Sequence, residues 1–353
     1  HDPSSGHGYN GTYNNPICFF NYPGEEPIFD ASRFSGGGGL TILIDYSTYL
    51  KFRGLTIRNH RQVGGETVVG MYMSNAGNLY LERVTSCWNG GHGFQAYGYD
   101  TLYYKNCDSY HNADTLTGGN TADGFAGGSG GTENDTLKIA YYLGCRAWAN
   151  SDDGFDLGTT KQFLISGCWS FQNGDPSLGP MAEGDGIKTN PSNVRIPGKR
   201  RIEKCISALN TGGAFTHQNL TDEFHGPVVD WVNNTAYKCR NGYIFSNDGF
   251  NQNLGGGRVN FSNNIVYQMT EYYALPFAWT NLNYVIQKNN SITMKLNDPY
   301  YDLNPIVKVT DADFVSLDWT EMIRPRKSDG SLPDINFLKL MKDTIAPIDR
   351  SIL

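Results

Sequence analysis

A hexapeptide pattern recurs along the chain and limits the fold more than any other feature of the sequence. Each copy has a first residue that is usually Cys, a small residue two places later and Asn five places later. The copies begin at Val84, Cys107, Cys145, Cys168 and Cys205. The shortest interval between copies is 23 residues, close to the length of one coil built from three short strands. The sequence therefore predicts a solenoid whose coils stack roughly 4.8 Å apart, with like residues above like.

A second aligned pattern follows each Asn and predicts which side chains face outwards. Its copies are His92-Gly93-Phe94-Gln95, Asp123-Gly124-Phe125-Ala126, Asp153-Gly154-Phe155-Asp156 and Asp185-Gly186-Ile187-Lys188. Because strand side chains alternate, the aromatic residue or Ile points into the core and its two neighbours point outwards. We predict an all-β, right-handed parallel β-helix that forms a single domain over residues 1–353. An incomplete first coil is expected over about 1–25 and an irregular tail, packed on the outside, over about 310–353.

Composition agrees with this fold and argues against two classes of partner. The chain has 42 Gly, 22 Tyr and 18 Phe but only 18% charged residues, which is typical of turn-rich β structure. A net charge of −7 without a basic run makes nucleic acid an unsuitable partner, and no apolar run is long enough to span a membrane. The seven cysteines occur singly, without a CxxC pair, and predict buried thiols rather than disulfides or a zinc site. We expect a monomer.

Carboxylates are concentrated on one predicted face of the solenoid. Asp152, Asp153 and Asp156 fall close together, Asp123 aligns one coil earlier, and Lys188 aligns one coil later. A single Asp-Gly pair is most simply a turn, but four acids on one face repel one another unless a cation is bound. Hard oxygen ligands select calcium or magnesium over zinc or copper. The sequence therefore predicts a metal site at this position.

Several of these strings resemble polysaccharide lyase family 9, the pectin-degrading β-helix lyases. The matching segments are residues 122–125, 145–156, 184–188 and 313–318, and the likeness extends over nearly the whole chain. The resemblance implies cleavage of a galacturonate-containing pectin backbone by β-elimination, with an acidic pectic polysaccharide as partner. It also implies a secreted, periplasmic or cell-surface protein. The sequence begins at His1 without Met, and we expect any signal peptide to have been removed.

The resemblance also implies roles for individual residues. The calcium-binding aspartates of the family correspond to Asp123, Asp152, Asp153 and Asp156, and its catalytic lysine corresponds to Lys188. β-Elimination removes the C5 proton of a uronic acid, so Lys188 must be neutral to act as the base. The group that protonates the leaving oxygen is not identified by the sequence.

The chain departs from the family pattern at two positions. Asp185 stands where many members have Asn. After the lysine coil, pectate-cleaving members have an acid where this chain reads Phe215-Thr216-His217-Gln218-Asn219. We predict that His217 and Gln218 lie on or beside the outward face and contact substrate. A neutral wall suits a polymer with rhamnose at every second sugar, so rhamnogalacturonan I is favoured over polygalacturonate.

Three alternatives remain open at this stage. A pectate lyase acting on polygalacturonate would share the mechanism. A pectin hydrolase would need two carboxylates, one of them protonated, and Gly91-His92-Gly93 has the form of a polygalacturonase motif. In those enzymes, however, that tripeptide follows the paired aspartates, whereas here it precedes them. A non-catalytic carbohydrate-binding β-helix would keep calcium for structure and would have no use for Lys188.

Overall fold

A computed structural model describes most of the chain. The described residues are 9–34, 39–128, 138–158, 162–189, 200–218, 229–246, 259–271, 285–292 and 309–341. Within them the chain winds through three strands per coil, and each strand pairs in parallel with the equivalent strand of the next coil. The predicted right-handed parallel β-helix is confirmed.

The strands form three parallel sheets, which we name A, B and C. Sheet A contains β1 (Ile17–Phe20), β4 (Leu50–Arg53), β7 (Leu79–Glu82), β10 (Thr101–Lys105), β13 (Ile139–Leu143), β16 (Gln162–Ser166), β19 (Arg200–Glu203), β22 (Val229–Val232), β25 (Val259–Ser262) and β27 (Val285–Lys288). Sheet B contains β2 (Ile28–Asp30), β5 (Thr56–Arg58), β8 (Thr85–Cys87), β11 (Asp108–Tyr110), β14 (Arg146–Trp148), β17 (Trp169–Phe171), β20 (Ile206–Ala208), β23 (Thr235–Tyr237), β26 (Ile265–Tyr267) and β28 (Ser291–Ile292). Sheet C contains β3 (Gly39–Asp45), β6 (Val68–Ser74), β9 (Gly91–Tyr97), β12 (Phe125–Gly128), β15 (Phe155–Asp156), β18 (Ile187–Thr189), β21 (Gly213–Gln218) and β24 (Asn241–Ser246).

The Asn residues of the repeated hexapeptide form a ladder that joins successive turns between sheets B and C. It runs through Asn89, Asn112, Asn150, Asn173 and Asn210. Asn150 Oδ1 accepts the backbone N–H of Asn112 at 3.3 Å and its side-chain amide at 2.9 Å, and the other steps repeat this arrangement. Because these amides are buried and paired, each coil is fixed in register with its neighbour. After Asn210 the position is taken by Cys239, whose Sγ lies 3.7 Å from the Asn210 amide.

Cysteines form a second ladder at the turns between sheets A and B. Cys168 Sγ accepts the backbone N–H of Cys145 at 3.3 Å, and Cys205 Sγ accepts that of Cys168 at 3.4 Å. Six of the seven cysteines are buried free thiols, as predicted. Cys18 is exposed, and for it the prediction is wrong. It lies on edge strand β1 opposite Lys51, in a column that points away from the core.

On the sheet C side, the core contains a stack of aromatic side chains supplied by the second repeated pattern. Phe125 lies between Phe94 and Phe155, with ring centroids 5.1 and 4.8 Å away. Phe215 and Tyr243 continue the same register further along sheet C. Each fully buried ring contributes about 1.5–3 kcal/mol, and each stacked pair adds about 0.5–1.5 kcal/mol. This stack sets the inward face of sheet C and so turns the neighbouring positions outwards.

The C-terminal segment, residues 309–341, packs on the outer face of sheet B. It includes two short 3₁₀ helices, Asp311–Asp313 and Trp319–Ile323, and Phe314 contacts Tyr267 at 5.2 Å between ring centroids. Arg326 and Arg146 both pair with buried Asp108, at 2.7 and 2.8 Å. Across the described ranges, no helix combines the length and apolarity needed to cross a membrane.

Candidate active site

One column of the predicted site is a ladder of carboxylates at the start of the sheet C strands. Asp123 Oδ1 accepts the backbone N–H of Asp153 at 3.1 Å. Asp153 Oδ1 accepts that of Asp185 at 2.6 Å, and Asp185 Oδ1 accepts that of Gly213 at 2.6 Å. His92 begins the column, with Nδ1 3.2 Å from Asp123 Oδ2. The repeat places one acid above another. The backbone N–H of the following coil donates a hydrogen bond to each carboxylate and stabilises it in this position.

The second column brings the lysine to these acids. Asp156 pairs with Lys188 in the register of β15 and β18, so Lys188 lies one coil further on, as predicted. Its Nζ is 3.1 Å from Asp153 Oδ2, 3.4 Å from Asp156 Oδ2 and 2.7 Å from Glu183 Oε2. Lys188 is only 8% exposed. The amine is therefore enclosed by carboxylates rather than by water.

The predicted metal ligands converge only in part. Asp123, Asp152 and Asp153 each present one ligand atom, and these atoms lie within 4.8 Å of one another. Asp156 lies outside this group of three but lines the same cleft of about 340 Å³ together with Lys188. Carboxylate oxygens held this close form a donor set that suits calcium.

The pKa shifts show how poorly this cluster is neutralised by protein groups alone. Burial raises the pKa of Asp152 to about 7, and the charge on Asp123 adds to the effect. Burial likewise raises the pKa of Asp156, and it raises that of Asp153 well above the usual range. Burial lowers the pKa of Lys188, but the charges of the surrounding acids outweigh it and raise the pKa overall. A cation at these oxygens would supply the charge that Lys188 alone does not.

Glu183 was missed by the sequence analysis although it contacts the lysine directly. Its backbone N–H donates to Asp152 Oδ1 at 2.9 Å, and its side chain is 59% exposed at the mouth of the cleft. It lies in the loop between β17 and β18, outside the repeated strings. The available signal was Glu183-Gly184-Asp185, which adds an acid two residues before the carboxylate column.

His217 does not occupy the predicted outward position. It is completely buried, with Nδ1 2.8 Å from Thr189 Oγ1, and burial lowers its pKa to about 3. The prediction that it lies on the outward face is wrong because strand side chains alternate. Lys188 and Thr216 share the outward column, so Thr189 and His217 point inwards. The backbone of Gln218 belongs to β21, and its side chain lies outside the described residues.

Comparison with known proteins places this chain in a family. The family model described as "Pel9A-like, right handed beta helix region" matches residues 6–253. Pectate lyase L of Dickeya chrysanthemi is 32% identical over 241 residues, which cover 67% of this chain and 48% of that protein. The chain thus spans about half the length of this curated relative.

Two solved structures share the fold. Pectate lyase Pel9A has a TM-score of 0.66 and 23% identity, with 96% of this chain and 76% of that chain covered. A rhamnogalacturonan lyase has a TM-score of 0.70 and 21% identity, with 95% and 82% covered. The chain belongs to the family of Pel9A-like right-handed β-helix proteins.

Proposed function

We propose that this protein is a calcium-dependent polysaccharide lyase that cleaves galacturonate-containing pectin by β-elimination. The observation that carries the proposal is the position of Lys188. Its Nζ lies in the cleft, 3.1 Å from Asp153 and 3.4 Å from Asp156, beside the cluster that Asp123 and Asp152 complete. A base next to an oxygen-ligand site is the arrangement needed to remove a proton α to a carboxylate.

The names of two relatives support the same class of reaction. The curated relative is a pectate lyase, and one solved neighbour is a rhamnogalacturonan lyase. Both names describe lyases of pectic polymers, which are too large to act on inside a cell. We therefore propose a secreted, periplasmic or cell-surface location.

In the proposed reaction Lys188 Nζ takes the C5 proton of a galacturonate residue. The C5–H electrons form a C4–C5 double bond, the bond from C4 to the glycosidic oxygen breaks, and water protonates the leaving oxygen. Calcium bound by Asp123, Asp152, Asp153 and Asp156 would neutralise the substrate carboxylate and stabilise negative charge that develops beside it.

The lysine needs a change of surroundings before it can act as a base. Its raised pKa depends on the charges of Asp153, Asp156 and Glu183. When the charges on Asp153 and Asp156 are neutralised, two of the interactions that hold the proton are lost. Burial, which lowers the pKa, remains. The pKa of Lys188 then falls, which increases the fraction of neutral amine that the reaction requires.

Rhamnogalacturonan I is the substrate we propose first, although fewer residues support this choice than the sequence indicated. The contribution of His217 is withdrawn because this residue is buried. Thr216, the next residue of the Lys188 column, is also buried, so what remains is half-buried Ile244 one coil further on, where the column is neutral. A neutral, partly apolar surface suits a methyl-bearing sugar next to the galacturonate. Polygalacturonate is the alternative substrate, and the name of the curated relative favours it.

Ultraviolet absorbance tests the proposal because β-elimination leaves an unsaturated sugar that absorbs. Initial rates would be measured on rhamnogalacturonan I and on polygalacturonate, each with calcium, with magnesium and with excess chelator. We expect absorbing product that is lost on chelation and restored better by calcium, since a site of several carboxylates suits the larger ion.

The rival functions give different results in the same assay. New reducing ends without absorbing product would indicate a hydrolase. Polymer binding with neither product would indicate a non-catalytic β-helix. Full activity in the chelator, with metal-free protein, would refute calcium dependence. Faster cleavage of polygalacturonate would refute only the choice of polymer.

A further inference from the structure

An aromatic strip lies on the outer face of sheet C, on the N-terminal side of the candidate site. Tyr72 is outward because its neighbours Met71 and Met73 are completely buried. Tyr97, on the next strand, follows buried Ala96 and is 42% exposed. Tyr97 lines the same cleft as Lys188, so the strip is continuous with the candidate site.

The strip lies at a fixed distance from the lysine. In sheet C the strands follow the order β18, β15, β12, β9 and β6. Lys188 is on β18, Tyr97 on β9 and Tyr72 on β6. At about 4.8 Å per coil, Tyr97 lies roughly 14 Å and Tyr72 roughly 19 Å along the helix axis from the lysine. These distances exceed one sugar ring and require a ligand of several residues.

The two rings are arranged as a platform rather than as a closed stack. Their centroids are 6.5 Å apart and the ring planes are tilted by 52°, so neither ring covers the face of the other. Tyr103 and Tyr141 on sheet A differ, since their rings are nearly parallel with centroids 4.4 Å apart and each covers the other. The Gln95 side chain forms a hydrogen bond with Tyr97, which limits the movement of the ring.

We propose that Tyr72 and Tyr97 form a distal subsite on which pyranose rings of the polysaccharide stack, three to four coils from Lys188. This inference rests on the proposed function, because it takes the ligand to be the polymer cleaved at the lysine. Aromatic faces bind sugar rings through their C–H faces, which tolerates either a neutral or an acidic sugar. The bound chain then runs along the helix axis over sheet C, from Lys188 towards β6.

Polymer binding without turnover tests the subsite. The Lys188→Ala protein would be run on native gels containing rhamnogalacturonan I or polygalacturonate, alone and with Tyr97→Ala, Tyr97→Phe or Tyr72→Ala added. Tyr103→Ala is the matched control, because Tyr103 is also a half-buried outward tyrosine. We expect Tyr97→Ala and Tyr72→Ala to weaken retention about five- to tenfold. Tyr97→Phe and Tyr103→Ala should stay within about twofold, since the first keeps the ring and the second lies on another sheet.

Kinetic measurements on variants that retain Lys188 give the second readout. Tyr97→Ala should raise KM for the polymer about five- to tenfold with little change in kcat, and it should leave KM for the shortest cleavable oligosaccharide unchanged. Equal retention of all variants, no retention of any, or equal loss on polymer and short oligosaccharide would overturn the subsite. If the protein with Lys188 does not cleave pectin but Tyr97→Ala still weakens retention, the proposed function fails and the subsite stands.

Discussion

Replacement of Asp152 by Asn isolates the electrostatic cost of the carboxylate cluster in the metal-free protein. Asn keeps an oxygen that can accept the Glu183 N–H, which Asp152 Oδ1 accepts at 2.9 Å, and it removes the charge. In the folded protein the pKa of Asp152 is raised from 3.8 to about 7, first by burial and then by Asp123. In the unfolded chain the same carboxyl ionises near its ordinary pKa.

The sign of the pH dependence follows from these two values. Between about pH 4 and pH 7 the folded protein binds more protons at this group than the unfolded chain does. Stability contributed by Asp152 is therefore lost as the pH rises. At 1.36 kcal/mol per unit of pKa, the loss is about 4 kcal/mol. His217, whose pKa is lowered to about 3, acts in the opposite sense, but it is present in both proteins and cancels in their difference.

The measurement is chemical unfolding of the metal-free wild type and Asp152→Asn at pH 4, 6 and 8, followed by tryptophan fluorescence. The free energy of unfolding of wild type minus that of the variant should fall by roughly 3–4 kcal/mol across this range. Asp318→Asn is the control, because hydrogen bonds from Thr320 lower the pKa of Asp318. Because that lowered pKa places the titration of Asp318 below pH 4, its difference should change little between pH 4 and pH 8. A wild-type-minus-Asp152→Asn difference that does not change with pH would refute the reasoning.

Three further substitutions test other parts of the site. Lys188→Ala should lower the rate of absorbing product on the order of 10² to 10⁴-fold, whereas Lys105→Ala, which removes a lysine paired with Glu82 on sheet A, should not. Glu183→Gln removes a charge that raises the pKa of Lys188, so the pH of half-maximal rate should fall by about one unit; an unchanged pH profile would contradict this. His217→Ala should lower the free energy of unfolding by about 2 kcal/mol without changing the ratio of rates on the two polymers, and a changed ratio would return His217 to the substrate site.

The sequence predicted well those positions that recur in every coil, because stacked coils need matching residues at equivalent positions. Asn150 must match Asn112 and Asn173 because its amide bonds to both, and this requirement is visible as a period. The same holds for the Phe125 and Phe155 core positions. The column of Asp123 and Asp153 could be predicted for this reason before any contact was known.

The features that the sequence did not predict lie outside the repeat or concern whether a side chain points inwards or outwards. Glu183 occupies a loop that occurs once, so no second copy marks it. Asp108 and Arg326 are 218 residues apart, and no period links the C-terminal segment to the coil that it contacts. His217 was wrongly placed outwards although alternation from Lys188 points it inwards. The likeness to the family motif suggested an outward position, whereas the alternation of side chains along the strand determines the inward one.

The carboxylate column has two roles that substitution can separate. Asp153 Oδ1 accepts the N–H of Asp185 at 2.6 Å and so joins two coils, while Oδ2 lies 3.1 Å from Lys188 and faces the site. Asp153→Asn keeps an oxygen for the first role and loses the charge for the second, whereas Asp153→Ala loses both. We expect Asn to abolish the increase in Tm on adding calcium while leaving the metal-free Tm at pH 8 unchanged or higher, because the buried charge is gone. Ala should in addition leave the Asp185 N–H unpaired, at a cost of about 1–3 kcal/mol. Equal metal-free stability of Asn and Ala would show that the Oδ1 hydrogen bond does not hold the coils together, and that the column serves the site alone.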